Sequence, residues 1–208
     1  MIPMNNMDGA IDIMENQVVK NKELFGIQLF TRALGKSIAD DEYVKIFDIA
    51  NKHDLMIWLH PVFDDRKPDN NIVFSWEYEL SQAMMQIVEK GIFEKYPNLK
   101  MIVHHAGAMI PFFAGRIKYI LGKEKELDFK KFYVDTAILG NTKALELAID
   151  YFGINHLLFG TDAPLGIMPA GATKEILEAI DKMNVTEEEK EKILKDNIID
   201  MIKGEKNE

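Results

Sequence analysis

Five histidines and no cysteine occur in the 208 residues. Any metal ligand must therefore be His, Asp or Glu, and a proton moved near neutral pH falls to an imidazole or to a shifted carboxyl. Two histidines are adjacent in HHAGAMIPFFAGR at 104–116, and a third precedes proline in IWLHP at 57–61. An aspartate follows a Gly-Thr pair in FGTDAP at 159–164. His60 is either a strand-end histidine hydrogen-bonded in the core or a metal ligand, and one residue does not choose between them. Asp162, placed straight after an apolar run, needs a cation, a helix N-terminus or hydrogen donors, or else caps the next turn. Side chains alternate along a strand, so His104 and His105 are expected to point to opposite sides, one to the site and one into a packing layer. Arg116 is one of three arginines beside 22 lysines. It is either a fixed bidentate guanidinium or a surface residue paired with an acid. Asp135, in FYVDTA at 132–137, either orients a histidine or substrate group or accepts backbone hydrogen bonds. His53 precedes a strand and His156 opens one, and both are expected at the bottom of the sheet, away from the mouth.

The elements that must position these groups alternate short apolar runs with stretches of helical period, without internal repeats or low-complexity linkers. Strands are expected at 24–30, 55–59 (ending in His60), 100–103 (ending at His104 and His105), 132–134 and 156–159, with 1–4 as the stub of a sixth. Helices are expected at 40–52 (capped by Asp40 and Asp41), 75–89 (closed by Gly91), 110–121, 142–151, 173–183 and 186–203. Near-continuous apolar strands separated by helices are the pattern of a parallel sheet in an α/β fold. His60, His105, Asp135 and Asp162 each lie just past a different strand. In a closed barrel those ends share one mouth, whereas an open doubly wound sheet would place its site at a switch point, and no Gly-rich phosphate loop marks one. The expected fold is a TIM-barrel-like (β/α)8 in a single domain over residues 1–208. Five strands and a stub fall short of eight, and a barrel typically takes about 250 residues, so the barrel is expected to be incomplete.

A net charge of −9 with interleaved lysines and acids argues against a nucleic-acid face. The apolar runs are too short to cross a bilayer, and the opening MIPMNNMDG lacks the features of a secretion signal. A cytoplasmic protein with neither nucleic-acid nor membrane partners is expected.

Taken together, IWLHP, GIFEKYPNLKMIVHHAGAMIPFFAGRI at 91–117, FYVDTA and LLFGTDAP at 157–164 resemble the amidohydrolase-related metal-dependent hydrolases and decarboxylases. The branch is that of the aminocarboxymuconate-semialdehyde and resorcylate decarboxylases. The resemblance runs in order from about Leu24 to EKILKDNI at 191–198. It implies that His60 is a metal ligand, that Asp162 is a metal ligand and proton shuttle, that His105 polarises or protonates substrate, and that Arg116 holds a substrate carboxylate; with His105 facing the mouth, His104 is expected to turn into the packing layer. The implied cofactor is a divalent metal, zinc or manganese, and the implied substrate a small carboxylate, aromatic or muconate-type.

Two departures stand out. The turn after His105 reads HAGAM in place of three glycines. No HxH pair, which supplies two further ligands in that family, occurs in the sequence, and the opening MIPMNNMDGAIDIMENQ resembles the lead into a middle strand. The expectation is a barrel lacking its first one or two βα units and holding two of the three protein ligands that a catalytic zinc takes, so the chain alone should bind metal weakly. Unpaired strand edges would need covering by a partner chain, by a second copy in a homo-oligomer, or by an adaptation of the fold. Three readings follow: a metal-dependent hydrolase or carboxy-lyase; a truncated or split product that acts as an assembly partner; and an anion-binding module that keeps His105 and Arg116.

Overall fold

Five apolar runs of this chain line up side by side as parallel strands in their chain order. The computed structural model describes residues 1–68, 71–167 and 171–204. In it the strands are β1 (Gly26–Phe30), the small hairpin β2 (Arg32–Ala33) and β3 (Lys36–Ser37), β4 (Met56–His60), β5 (Lys100–Val103), β6 (Tyr133–Asp135) and β7 (Leu157–Leu158). The main sheet has the order β1-β4-β5-β6-β7 and every pairing in it is parallel. The helices are α1 (Met7–Ile13), α2 (Val44–Lys52), α3 (Trp76–Glu89), α4 (Ile92–Lys95), α5 (Ala114–Arg116), α6 (Lys123–Phe129), α7 (Thr142–Phe152), α8 (Thr173–Asp181), α9 (Glu187–Glu191) and α10 (Asn197–Lys203). Sequential parallel neighbours joined by helices are the construction of a (β/α)8 wall. Among the described residues β1 and β7 each have one sheet neighbour, so the wall is an open segment of a barrel.

Register assigns each strand residue a layer. Phe30 pairs with His60, Leu59 with Val103, Val103 with Val134, and Asp135 with Leu158. Phe30, His60, His104, Asp135 and Leu158 therefore fall on one rung at the carboxyl ends of the strands. Side chains on one rung of parallel strands share a face. The rung two residues below carries Gln28, Trp58, Ile102 and Tyr133. Alternate residues Ile57, Leu59, Met101, Val103 and Val134 face the helices and join the main core with Phe47, Leu80, Phe129 and Phe132. There Phe132 meets Phe93 edge to face at 4.8 Å.

The inner face has its own small cluster of Met56, Ile102 and Leu158 with Met201 of α10, against which Trp58, Tyr133 and Ile198 pack. Lys100 ties this helix to the start of β5, donating to the Met201 carbonyl at 2.8 Å and to Asp54 at 2.7 Å. Asn197 donates to the carbonyls of Ile154 and Leu157. The C-terminal helix thus packs against the amino-end portion of the inner face.

Several expectations are corrected. Residues 1–4 form no strand; Ile2 and Met4 are buried and a single bond, Ile2 N–H to the Gln28 carbonyl at 3.4 Å, touches β1. Asp40 does not cap α2: its carboxylate accepts the Ser37 N–H, and a 3-10 turn at Asp41–Tyr43 leads into the helix. Regular helix after His105 begins only at Ala114, because residues 105–108 all have positive φ. The 186–203 stretch starts with the expected capping box of Thr186 and Glu189 but contains a π turn at Lys192–Asp196. His156 lies at the amino-end side of the sheet, its ring stacked on Tyr133 at 4.4 Å while Nδ1–H bonds the Phe132 carbonyl.

Candidate functional site

The carboxyl-end rung places His60 and His104 next to each other, with ring centroids 5.5 Å apart and planes at 70°. His60 donates Nδ1–H to the Pro61 carbonyl at 2.7 Å. A carbonyl can only accept, so the neutral ring carries its lone pair on Nε2. His104 donates Nδ1–H to Asp135 Oδ2 at 2.6 Å, which likewise leaves the lone pair on Nε2. That Nε2 is buried and has no hydrogen-bond partner. Because β5 ends at Val103, the alternation expected of the histidine pair stops there. His104 keeps the inner face that its rung dictates, and the expectation that it turns into the packing layer is overturned.

His105 leaves the strand in a left-handed conformation, φ +61°, followed by Ala106, Gly107 and Ala108 at +55°, +76° and +55°. Such backbone is costly outside glycine and concentrates at functional turns. The turn is held from two sides. Asp135 Oδ1 accepts the His105 N–H at 2.8 Å, and Met109 N–H donates to Ser81 of α3 at 3.0 Å. The His105 ring is 8% exposed and donates Nδ1–H to Glu77 Oε1 at 2.7 Å. Glu77 comes from the first turn of α3 and was not among the residues expected from the sequence. Its position four residues before Ser81 on the same helix face is the one signal that could have linked it to this turn.

Asp135 is the hub. One buried carboxylate accepts the His104 ring, the His105 N–H and the Ala137 N–H, the last at 3.1 Å. Burial would raise its pKa, but the His104 bond and charge, the His105 charge and the Ala137 N–H hold it below the ordinary carboxylate value. Gly160 makes room for it: a Cβ there would lie 3.0 Å from Asp135 Cβ. The His60 pKa is lowered, first by burial and then by the neighbouring histidines, against a raising effect from the Pro61 carbonyl bond. For His105 burial also lowers the pKa, yet the Glu77 bond and charge, with Asp135 and Asp162, outweigh it and raise the value.

Asp162, at φ +56° after β7, is half-buried, and its charge acts on both His60 and His105. Arg116 ends α5 in an exposed position, with no ion pair among the described residues. At the β1 end, Glu79 of α3 accepts from Thr31 Oγ1, from Val62 N–H at 2.9 Å and from Arg32 at 3.3 Å, which pins the chain just after His60–Pro61 to the helix.

The donor chemistry of His60, His104 and Asp162 fits a borderline divalent ion, because imidazole Nε2 lone pairs with Nδ1–H tied to oxygen are how protein histidines present themselves to zinc. Ligand number is the weak point. Among the described residues no three His, Cys, Asp or Glu side chains converge closely enough to hold an ion.

A family model described as amidohydrolase matches residues 1–203. The chain belongs to the amidohydrolase family. A curated family relative, 2-amino-3-carboxymuconate-6-semialdehyde decarboxylase of Dictyostelium discoideum, is 26% identical, covering 97% of this chain and 59% of its own length. The 6-methylsalicylic acid decarboxylase of Penicillium expansum is 26% identical over 67% of this chain and 48% of its own. The amidohydrolase chain thus spans about half to three-fifths of these relatives. Its fold matches the crystal structure of a dihydroxybenzoic acid decarboxylase of Polaromonas sp. JS666 with bound manganese and 2-nitroresorcinol, with a TM-score of 0.81 at 20% identity over 99% of this chain and 68% of that one. Among the described residues no helix is long and apolar enough to cross a membrane.

Proposed function

We propose that this chain carries the catalytic half of a metal-dependent carboxy-lyase acting on a small aromatic or muconate-type acid. The observation that carries the reading is a row of three neighbouring imidazoles at adjoining strand ends, His60 to His104 at 5.5 Å and His104 to His105 at 6.1 Å between centroids, each with Nδ1–H fixed by an oxygen acceptor. The names of the relatives, decarboxylases of muconate-type and hydroxybenzoic acids, support the class of reaction. The manganese of the dihydroxybenzoic acid decarboxylase supports a divalent cofactor.

His60 and Asp162 would hold the ion, which as a Lewis acid supplies positive charge toward the substrate's oxygens. His105 does the proton work. Loss of CO2 breaks a C–C bond and leaves the electron pair on carbon, and the His105 imidazolium, protonated at both nitrogens, would deliver from Nε2 the proton that takes up that pair. Glu77 keeps the ring oriented and stabilises the imidazolium before transfer; Asp135 fixes the backbone from which the ring projects. Arg116, without an ion pair of its own among the described residues, is the cation assigned to the substrate's acid group.

One observation favours a second reading. With no three ligands converging among the described residues, a chain without further ligands would act as an anion-binding module through His105 and Arg116. A single experiment separates the two: carboxylic acids are screened for CO2 release and for binding in Mn²⁺ or Zn²⁺, with and without chelator. Metal-dependent CO2 release abolished by His105→Gln supports the carboxy-lyase. Chelator-indifferent binding that needs Arg116, without CO2 release, supports the module.

A further inference from the structure

We propose that the segment after the His105 turn, residues 110–121, is the contact through which two copies of this chain pair about a two-fold axis near Gly115. The apolar face that makes the contact has no role in the proposed reaction, and the pairing holds whether or not the chain is a carboxy-lyase.

Three observations carry it. The first is burial on one side of the segment and not on the other. Ile110 and Ile117 enter the main core, with Ala114 and Leu121 packed against it. The outer side is apolar too: Phe112 is 77% exposed, Tyr119 81% and Ile120 64%, and Phe113 stands edge to face with Phe112 at 5.0 Å. Segments apolar all round are buried all round, yet among the described residues nothing covers this side. The second observation is Gly115, within α5. A Cβ there would meet nothing within 4 Å, and the residue has no positive φ. A helical glycine costs about 0.5–1 kcal/mol relative to alanine, and neither a turn nor crowding inside this chain requires one. Close approach of a second backbone does.

The third is symmetry. Phe112 and Phe113 lie four and three residues before Arg116, and Tyr119 and Ile120 lie three and four after it. Two such segments crossing antiparallel set each apolar pair against the opposite pair of the other copy, the self-complementary contact that a two-fold dimer needs. An unrelated protein or a lipid surface requires no such matching, and a net charge of −9 opposes an anionic membrane. Gly115 at the crossing lets the backbones close. Arg116 can lay its stem along the contact and keep its guanidinium in water or on substrate, while Lys118, 5.5 Å over the Tyr119 ring, adds a polar rim. The area agrees. At about 200 Å² per aromatic side chain, the exposed parts of these four residues come to roughly 500 Å². Interfaces are about 60% apolar, so this implies about 800 Å² per protomer, the standard size.

The test uses the full chain. Interfaces of this size bind with micromolar to picomolar affinity, so at about 50 μM the native chain should sediment at twice its own mass. Tyr119→Asp and Ile120→Asp should each weaken the dimer by about 10–30-fold. Gly115→Glu should do the same with an unchanged far-UV CD spectrum, because its side chain meets nothing in its own chain. The sequence has no cysteine, so Gly115→Cys carries a single thiol. Mild oxidation should link two copies through it, since residues at the axis come within disulfide reach, whereas Lys22→Cys, ahead of β1, should stay unlinked. A chain monomeric throughout, a dimer that all three charged variants leave intact, no link through Gly115→Cys or an equal one through Lys22→Cys would each overturn the proposal. A monomer that instead pellets with phosphatidylserine-containing vesicles would give the face to a membrane and overturn it equally.

Discussion

His104 Nδ1 lies 2.6 Å from Asp135 Oδ2, and the other oxygen of that carboxylate holds the backbone of the next residue, His105, at 2.8 Å. One buried aspartate thus sets the tautomer of one histidine and the place of its neighbour. The link follows from topology: β5 and β6 are adjacent and in register, so the residues just past Val103 and Val134 must meet.

Replacing Asp135 with Asn keeps the shape but cannot satisfy three donors as an ionised carboxylate does. About 1–3 kcal/mol of stability should be lost, measured by urea denaturation, and ¹⁵N shifts should show that His104 no longer holds a pure Nδ1–H tautomer. Unchanged stability and tautomer would remove Asp135 from its central place.

Glu77→Gln removes the charge beside His105 while leaving an amide oxygen for its ring. The His105 pKa, raised in the native chain, should fall toward or below the ordinary value of about 6.5, followed by proton NMR of the imidazole. In the native chain the raised pKa adds stability that is complete below about pH 6.5 and fades as pH climbs through the folded-state value. In the variant that alkaline decline should shrink.

Gly107 and Gly153 separate crowding from backbone strain. Both have positive φ, +76° and +91°, but a Cβ at Gly107 would stand 2.5 Å from the Phe152 ring, whereas at Gly153 nothing lies within 4 Å. Gly153→Ala should cost about 1 kcal/mol, and Gly107→Ala a further ~1–3 kcal/mol for overpacking, with loss of the His105 turn visible in amide exchange.

His156 gives the fold an acid-side sensitivity. Burial holds its pKa below the ordinary histidine value, against a raising effect from the Phe132 carbonyl bond. Its neutral form therefore contributes stability that is complete above about pH 6.5 and is lost as pH falls toward the folded-state value, because the unfolded chain takes the proton first. His156→Gln should flatten the pH dependence of the melting temperature in that window.

Much of the scaffold was legible in the sequence. Apolar runs ending in His60, His104 or Asp135 mark strands because parallel strands are buried on both faces, and β5 occupies the expected residues 100–103. What one strand cannot reveal is its register against another, and register is what joins His60, His104 and Asp135. Alternation therefore misassigned His104. Nor does the residue type of His105 announce a positive φ, since glycine takes that conformation most readily; only Gly107 hinted at the turn. The Arg32–Ser37 hairpin was missed because Leu34, an unusual choice for a left-handed turn residue, stands before Gly35. Glu77 reads as a solvated helix acid until the helix is placed against the sheet.

The central claim, that His105 delivers a proton as CO2 leaves, is tested most directly with ¹³C-carboxyl-labelled hydroxybenzoic and muconate-type acids in D2O, with Mn²⁺ or Zn²⁺ and the native chain or His105→Gln. The native chain should give labelled CO2 and product deuterated at the carbon that lost it, both abolished in the variant. Labelled CO2 released equally well by His105→Gln, or none from any acid with metal bound, would contradict it.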